Sequence, residues 1–176
     1  MNRYSMMMFA AAFAGAGMLH AQSNPLSTET KGIYTMAKTN ILKSAEKMPE
    51  ENYTFKPMPD VRSFAGIIGH VADSQYLFCS AVKGEPKSPD SLSVEKTKTS
   101  KADLIAALKE SFAYCDGVYD ALTDEHAADK VKFFGRERTK LVTLGFNNAH
   151  TFEHYGNIVT YLRIKGLVPP SSESSR

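Results

Sequence analysis

The sequence has no tryptophan and only two cysteines, Cys79 and Cys115, among 176 residues. Two thiols without a Cys-x-x-Cys pair exclude a disulfide scaffold and a thiolate zinc cluster, so an apolar core must carry the stability. No sign of charge dominates, since 21 Lys plus Arg face 19 Asp plus Glu for a net +2. A surface that neutralises many phosphates needs far more basic excess, and no nucleic-acid partner is expected. The apolar run from Met6 to Leu19 falls short of the roughly 20 residues of a spanning helix. It follows the lone basic Arg3 and precedes the small Ala21, which reads as a secretory signal peptide over residues 1–21, cut after Ala21. The expectation is an exported protein, periplasmic or extracellular, with no stable membrane anchor after leader cleavage, in an oxidising compartment.

What the chain does contain is 43% hydrophobic residues with 11 Gly and 8 Pro, the composition of one ordinary globular domain. From Ser27 to Met48, Ile33, Met36, Ala37, Ile41, Ala45 and Met48 recur at helical steps, and Pro49 ends the run. Two prolines make the segment NYTFKPMP a loop. Asp60 is a plausible N-cap for a second helix to Lys83, with Phe64, Ile67, Val71, Phe78 and Val82 on one face and Gly84 and Pro86 at its end. The polar stretch from Pro86 to Thr99 reads as a long crossing connection carrying little chemistry. A capping pattern at Ser100 and Asp103 opens a third helix through Leu104, Leu108, Phe112, Cys115, Val118 and Leu122. Val131 to Phe134 suits a short extended piece, Gly135 to Lys140 a charged turn, and Thr139 to Lys165 a fourth helix. These elements predict an all-α four-helix bundle with a long crossover connection over residues 27–170, followed by a polar C-terminal tail at 171–176.

The histidines carry the chemical interest. With His20 in the leader, His70, His126, His150 and His154 remain. His150 and His154 are four apart on one helix, which stacks their rings on one face. His70 lies on the flank of the second helix's apolar stripe, facing the interior, where it can meet that pair. Three neutral imidazoles hold a divalent cation and leave other positions open, as a catalytic site requires. A pair at this spacing also suits surface or hydrogen-bonded core histidines.

The segments GHVADSQYLFCSAVKGEP from Gly69 and NNAHTFEHYGNIVTYLRIKGLVPPSS from Asn147, with DVRSFAGIIGH before the first, resemble the signature stretches of the DinB/YfiT-like family of metalloenzymes. The resemblance spans Thr30 to Ser172. It implies a DinB-like four-helix bundle and a divalent metal ion, often zinc or nickel, held by three histidines. Those ligands fall on His70, His150 and His154. Some relatives are thiol-dependent transferases or isomerases and one is an amide hydrolase. The implied function is thus metal-dependent activation of water or a thiol on a small-molecule substrate, and the alternative is a non-catalytic metal- or ligand-binding bundle. A homodimer is a further expectation.

Other residues weigh less. His126 sits in a polar turn as a solvated side chain, and Asp73 and Glu153 read as surface ion-pair partners. Asn147 and Tyr161 share the His150 face and suit either an orienting role or buried hydrogen bonding. Cys79 and Cys115 read as small core residues, able to pair if their Cα atoms come within about 7 Å. Lys130, Lys132, Arg136, Arg138 and Lys140 form a solvated basic turn or a cationic rim.

Overall fold

The computed structural model describes residues 23–173, so the expected leader and residues 174–176 of the tail lie outside the described residues. Four long helices form the bundle: α1 (Pro25–Lys47), α2 (Phe64–Lys83), α4 (Lys101–Ala121) and α5 (Lys140–Ile164). A four-residue helix, α3 (Val94–Thr97), lies in the connection between α2 and α4. A small hairpin, β1 (Lys130–Phe133) and β2 (Arg136–Thr139), joins α4 to α5. Among the described residues no helix is long and apolar enough to cross a membrane.

In cross-section each of α1 and α2 packs against both α4 and α5. Lys101 Nζ donates to the Met48 carbonyl, placing the start of α4 at the end of α1. Lys47 Nζ donates to the Val168 carbonyl, so α1 and α5 finish at the same end. The order is therefore up, down, down, up, and the connection from α2 to α4 must travel the length of the bundle. That is the crossover expected from the polar stretch, and α3 packs on α2 along its path.

The helix ends follow local chemistry. Ser63, not Asp60, caps α2: its hydroxyl accepts from Gly66 N at 3.1 Å. The loop carbonyls of Phe55 and Tyr53 take the N–H groups of Phe64 and Ala65. With those donors satisfied from the loop, the helix starts three residues later than Asp60 would start it. Gly84 ends it at φ 87°, a left-handed conformation that glycine adopts without steric cost. Ser100 caps α4 as expected, accepting from Asp103 N at 3.1 Å. The N-terminus of α1 is capped from across the molecule by Asp124, whose carboxylate accepts from Leu26 N, Ser27 N and the Ser27 hydroxyl.

The buried stripe of α1 is Tyr34, Ala37, Ile41, Ala45 and Met48, whereas Ile33 and Met36 of the expected stripe are exposed. The heptad-like phase runs through Tyr34, an aromatic whose hydroxyl donates to the Phe112 carbonyl and which stacks on Tyr119 at 4.0 Å. The stripes expected for α2 and α4 are buried throughout. Cys79 and Cys115 form a disulfide between α2 and α4, with Cα atoms 5.5 Å apart. The charged turn after Gly135 is in fact a strand. Phe134 at φ 48° and Gly135 at φ 71° make the tight turn that the right-handed strand twist favours, and Phe133 packs on Phe78.

Candidate metal centre

Helix α2 contributes His70 about two turns above the loop carrying Arg62, and α5 contributes His150 and His154. The three rings converge through Nε2. The Nε2 atoms of His70 and His150 are 3.3 Å apart, and those of His154 and His150 are 3.1 Å apart. Two imidazole nitrogens each about 2.0–2.1 Å from one tetrahedral ion would be roughly 3.3–3.4 Å apart. Cis ligands of an octahedral ion would sit near 3.0 Å. The observed separations fit the donor set of a single divalent cation under either geometry. The three histidines form the one group among the described residues whose nitrogens, thiolates or carboxylates gather in this way.

The protonation chemistry supports the fit. Glu95 Oε2 lies 3.2 Å from His70 Nδ1, so the neutral ring places its proton there and turns a lone pair inward from Nε2. The Nδ1 atoms of His150 and His154 are buried without a partner, and a cation at the cluster would need all three rings to present Nε2 lone pairs to it. Burial pushes the pKa of all three histidines down. It holds His154 at about 3, with neighbouring His150 and His70 adding to the effect. For His70 the Arg62 guanidinium lowers it further and Glu95 opposes; for His150 the neighbouring His70 lowers it further. The rings are therefore neutral near pH 7, the form that ligates. Phe78 flanks His150 at 5.6 Å between ring centres and makes that side apolar.

A device outside the ligands sets this geometry. A Cβ at Gly69 would lie 2.6 Å from Glu95 Cα and 2.9 Å from Glu95 N, so only glycine lets α3 rest against α2 here. The Asp73 carboxylate then accepts from the N–H groups of Val94 and Glu95, both at 3.0 Å. Held from two sides, Glu95 gives Oε2 to His70 and Oε1 to Arg62 Nε at 2.8 Å. The Tyr161 hydroxyl donates to the Arg62 carbonyl and steadies the loop.

These contacts correct some expectations and bear out others. The segment from Pro86 to Thr99 supplies Glu95, the carboxylate that orients His70, so it does carry chemistry. Asp73 is no surface ion-pair partner but the cap of α3. Asn147 is a buried hydrogen-bonding residue, donating to Gln75 Oε1 at 2.9 Å and to the Tyr119 hydroxyl. Tyr161 acts on Arg62 rather than on an imidazole. His126 is exposed and pairs with Asp129, away from the cluster. Glu153 is exposed on α5. The basic hairpin residues stand on strands whose Phe133 packs beside Phe78, the neighbour of His150.

Gly69, Glu95 and Arg62 were not singled out from sequence. A glycine just before a ligand histidine, unneeded for any turn inside α2, was the signal for a close approach. Glu95 gave no signal at all, because its distance from His70 along the chain says nothing about their contact.

Comparison with known proteins agrees with this architecture. Residues 33–158 match the family model described as the DinB superfamily. The chain is 29% identical over 125 residues to the "uncharacterized protein YjoA" of Bacillus subtilis strain 168, covering 69% of this chain and 79% of that one. The crystal structure of a DinB-like protein from Bacillus cereus superposes with a TM-score of 0.70 at 16% identity, covering 81% of this chain and 95% of the other. That of the DinB-like YjoA from Bacillus subtilis gives 0.68 at 24% identity, over 83% and 99%.

Proposed function

The chain belongs to the DinB superfamily, and from that membership together with its histidine cluster we propose that it is an exported metal-dependent enzyme acting on a small molecule. The observation that carries the proposal is the convergence of the Nε2 atoms of His70, His150 and His154 at 3.1–3.3 Å. A divalent ion bound there, zinc or nickel from the ligand chemistry and the family, would supply Lewis acidity that lowers the pKa of water or a thiol. The reaction class is accordingly hydrolysis or thiol-dependent transfer.

The chain's own groups do the rest. Glu95 accepts the His70 Nδ1 proton and fixes that ring's tautomer, and such partners raise ligand basicity. Arg62 shares that carboxylate and faces a cleft of about 660 Å³ that reaches His154 and Tyr161. A volume of this size suits a small organic substrate. Phe78 keeps the opposite side of His150 apolar. Export is supported by the leader pattern at residues 1–21 and by the Cys79–Cys115 disulfide, which persists in oxidising compartments.

The test is elemental analysis of the mature protein purified without a histidine tag, beside His70→Ala and His150→Ala. One ion per chain in wild type, lost from both variants, is the expected result. It would justify screening hydrolytic and thiol-transfer substrates before and after chelation. A wild type that takes up no ion after reconstitution would overturn the metal assignment. Full metal occupancy with no chelator-sensitive turnover would favour a non-catalytic binding bundle instead.

A further inference from the structure

The cleft beside the histidines contains hydrogen-bonding groups that the fold does not use. Arg62 lies at its edge with its side chain 45% exposed. Its Nε–H is spent on Glu95 Oε1 at 2.8 Å. One terminal nitrogen lies 3.4 Å from His70 Nδ1, but that atom already carries the proton shared with Glu95. The approach therefore sets donor against donor and is not a hydrogen bond. The remaining guanidinium N–H groups have no acceptor among the described residues. A planar fork of unspent donors matches a carboxylate or a phosphate group.

Across the cleft, α5 presents Asn157 and Thr160. Asn157 continues the helical stripe of His150 and His154, one turn beyond His154, and Tyr161 follows it. Neither the Asn157 amide nor the Thr160 hydroxyl has a hydrogen-bond partner among the described residues. Three exposed polar side chains therefore line one cleft, adjacent to the histidines, and bond to no other side chain or backbone group of the fold beyond the Arg62–Glu95 pair. Two carboxylates share the cleft, Asp60 and Glu95. The Glu95 charge is balanced by the Arg62 guanidinium it holds, so an anion would gain from Arg62 chiefly through the unspent N–H donors, and the Asp60 carboxylate opposes it.

We propose that Arg62, Asn157 and Thr160 form an oxyanion-recognition subsite, so that the substrate carries a carboxylate or phosphate group at one end and its reacting group at the histidine cluster. The proposal rests on the metal assignment only for the position of the reacting end. Arg62 is bound to Glu95 and so ties recognition of the anion to the carboxylate that orients His70. The electrostatic gain is largest where the guanidinium is held in place beforehand, because no rearrangement accompanies binding.

The experiment compares succinic monohydroxamate, which has a metal-seeking end and a carboxylate, with acetohydroxamate, which has the metal-seeking end alone. Both are titrated into zinc-loaded protein, in wild type, Arg62→Gln and Thr160→Val, with the metal content of each sample measured. Wild type is expected to bind the carboxylate-bearing probe about tenfold or more tightly than acetohydroxamate. Arg62→Gln should lose that advantage, read as the ratio of the two affinities so that any effect of the variant on the metal cancels, and Thr160→Val should reduce it severalfold. Equal affinity for the two probes in wild type, or an advantage that survives in Arg62→Gln, would overturn the subsite.

Should wild type hold no divalent ion after reconstitution with zinc or nickel, the metal assignment fails separately. The subsite is then read on EDTA-treated, nitrogen-15-labelled protein. Saturable shifts of the Asn157 side-chain amide and Arg62 guanidinium signals with succinate, and none with succinamide, support it. No shift, or the same shift with succinamide, overturns it.

Discussion

Gly69 and Glu95 touch where only glycine at position 69 allows it: the missing Cβ of Gly69 leaves room for the Glu95 backbone, and a real one would stand 2.6 Å from its Cα. The orientation of His70 depends on this contact, because Glu95 reaches Nδ1 only when α3 lies flat on α2. One absent methyl group on a helix thereby governs a side chain one residue further on.

Replacing Gly69 with Ala should push α3 outward and loosen the Glu95–His70 pair. We expect a stability loss of about 1–3 kcal/mol from overpacking and a fall in zinc affinity of about 10–100-fold. Competition against a chromogenic chelator checks the affinity and urea unfolding the stability. Glu95→Ala should show a similar affinity loss, and Glu95→Gln a partial one, since an amide oxygen can still accept from Nδ1. Unaltered affinity in Glu95→Ala would remove Glu95 from its positioning role.

His154→Ala removes one of the three proposed donors, the most buried of them. Tight metal binding should disappear, leaving the two nitrogens of His70 and His150, which chelators strip readily. Elemental analysis after dialysis against EDTA reads the result directly. A variant that retains one ion per chain would show that His154 is not a ligand.

The apo protein should lose stability on acidification. His154 titrates near 6.5 when unfolded and at about 3 when folded, because burial disfavours the imidazolium. Above about pH 6.5 neither state holds the extra proton and the full stability is present. Between about 6.5 and 3 the unfolded chain binds more protons than the folded one, so stability falls with pH. Urea midpoints in EDTA at pH 7, 5.5 and 4.5 should decline for wild type and decline less steeply for His154→Gln. Parallel declines would contradict this account.

The disulfide closes a loop of sequence separation 36 between two packed helices. On the chain-entropy model its removal costs roughly 4 kcal/mol. Cys79→Ala with Cys115→Ala should therefore lower the unfolding free energy by up to that amount while leaving zinc stoichiometry unchanged. Urea unfolding, with thiol titration of denatured wild type to confirm pairing, provides the check. Two free thiols in unreduced wild type would exclude the bridge.

Much of the architecture was legible in the sequence because it rests on local periodicity. The stripes of α2 and α4 are where helical spacing places them, and Ser100 caps α4 from a pattern four residues long. His150 and His154 needed no tertiary information, since residues four apart on a helix stack whatever surrounds them. In α1 helical spacing places Ala37, Ile41, Ala45 and Met48 correctly, and only Ile33 and Met36 lie off the buried face. Apolar identity at Ile33 and Met36 suggested burial, yet the partner helices meet the face of Tyr34.

What the sequence by itself determined is the set of four amphipathic helices, the long polar crossing and three histidines able to meet, all consequences of helical periodicity and side-chain chemistry. Only the tertiary structure decided what surrounds them. It brought Glu95 to His70 across a connection of unremarkable composition, put Ser63 rather than Asp60 at the head of α2, and joined Cys79 to Cys115. It also left the donors of Arg62 facing a cleft. Each of these depends on distances between segments remote in the chain, and such distances are set when packing closes the bundle, not by any spacing along the sequence.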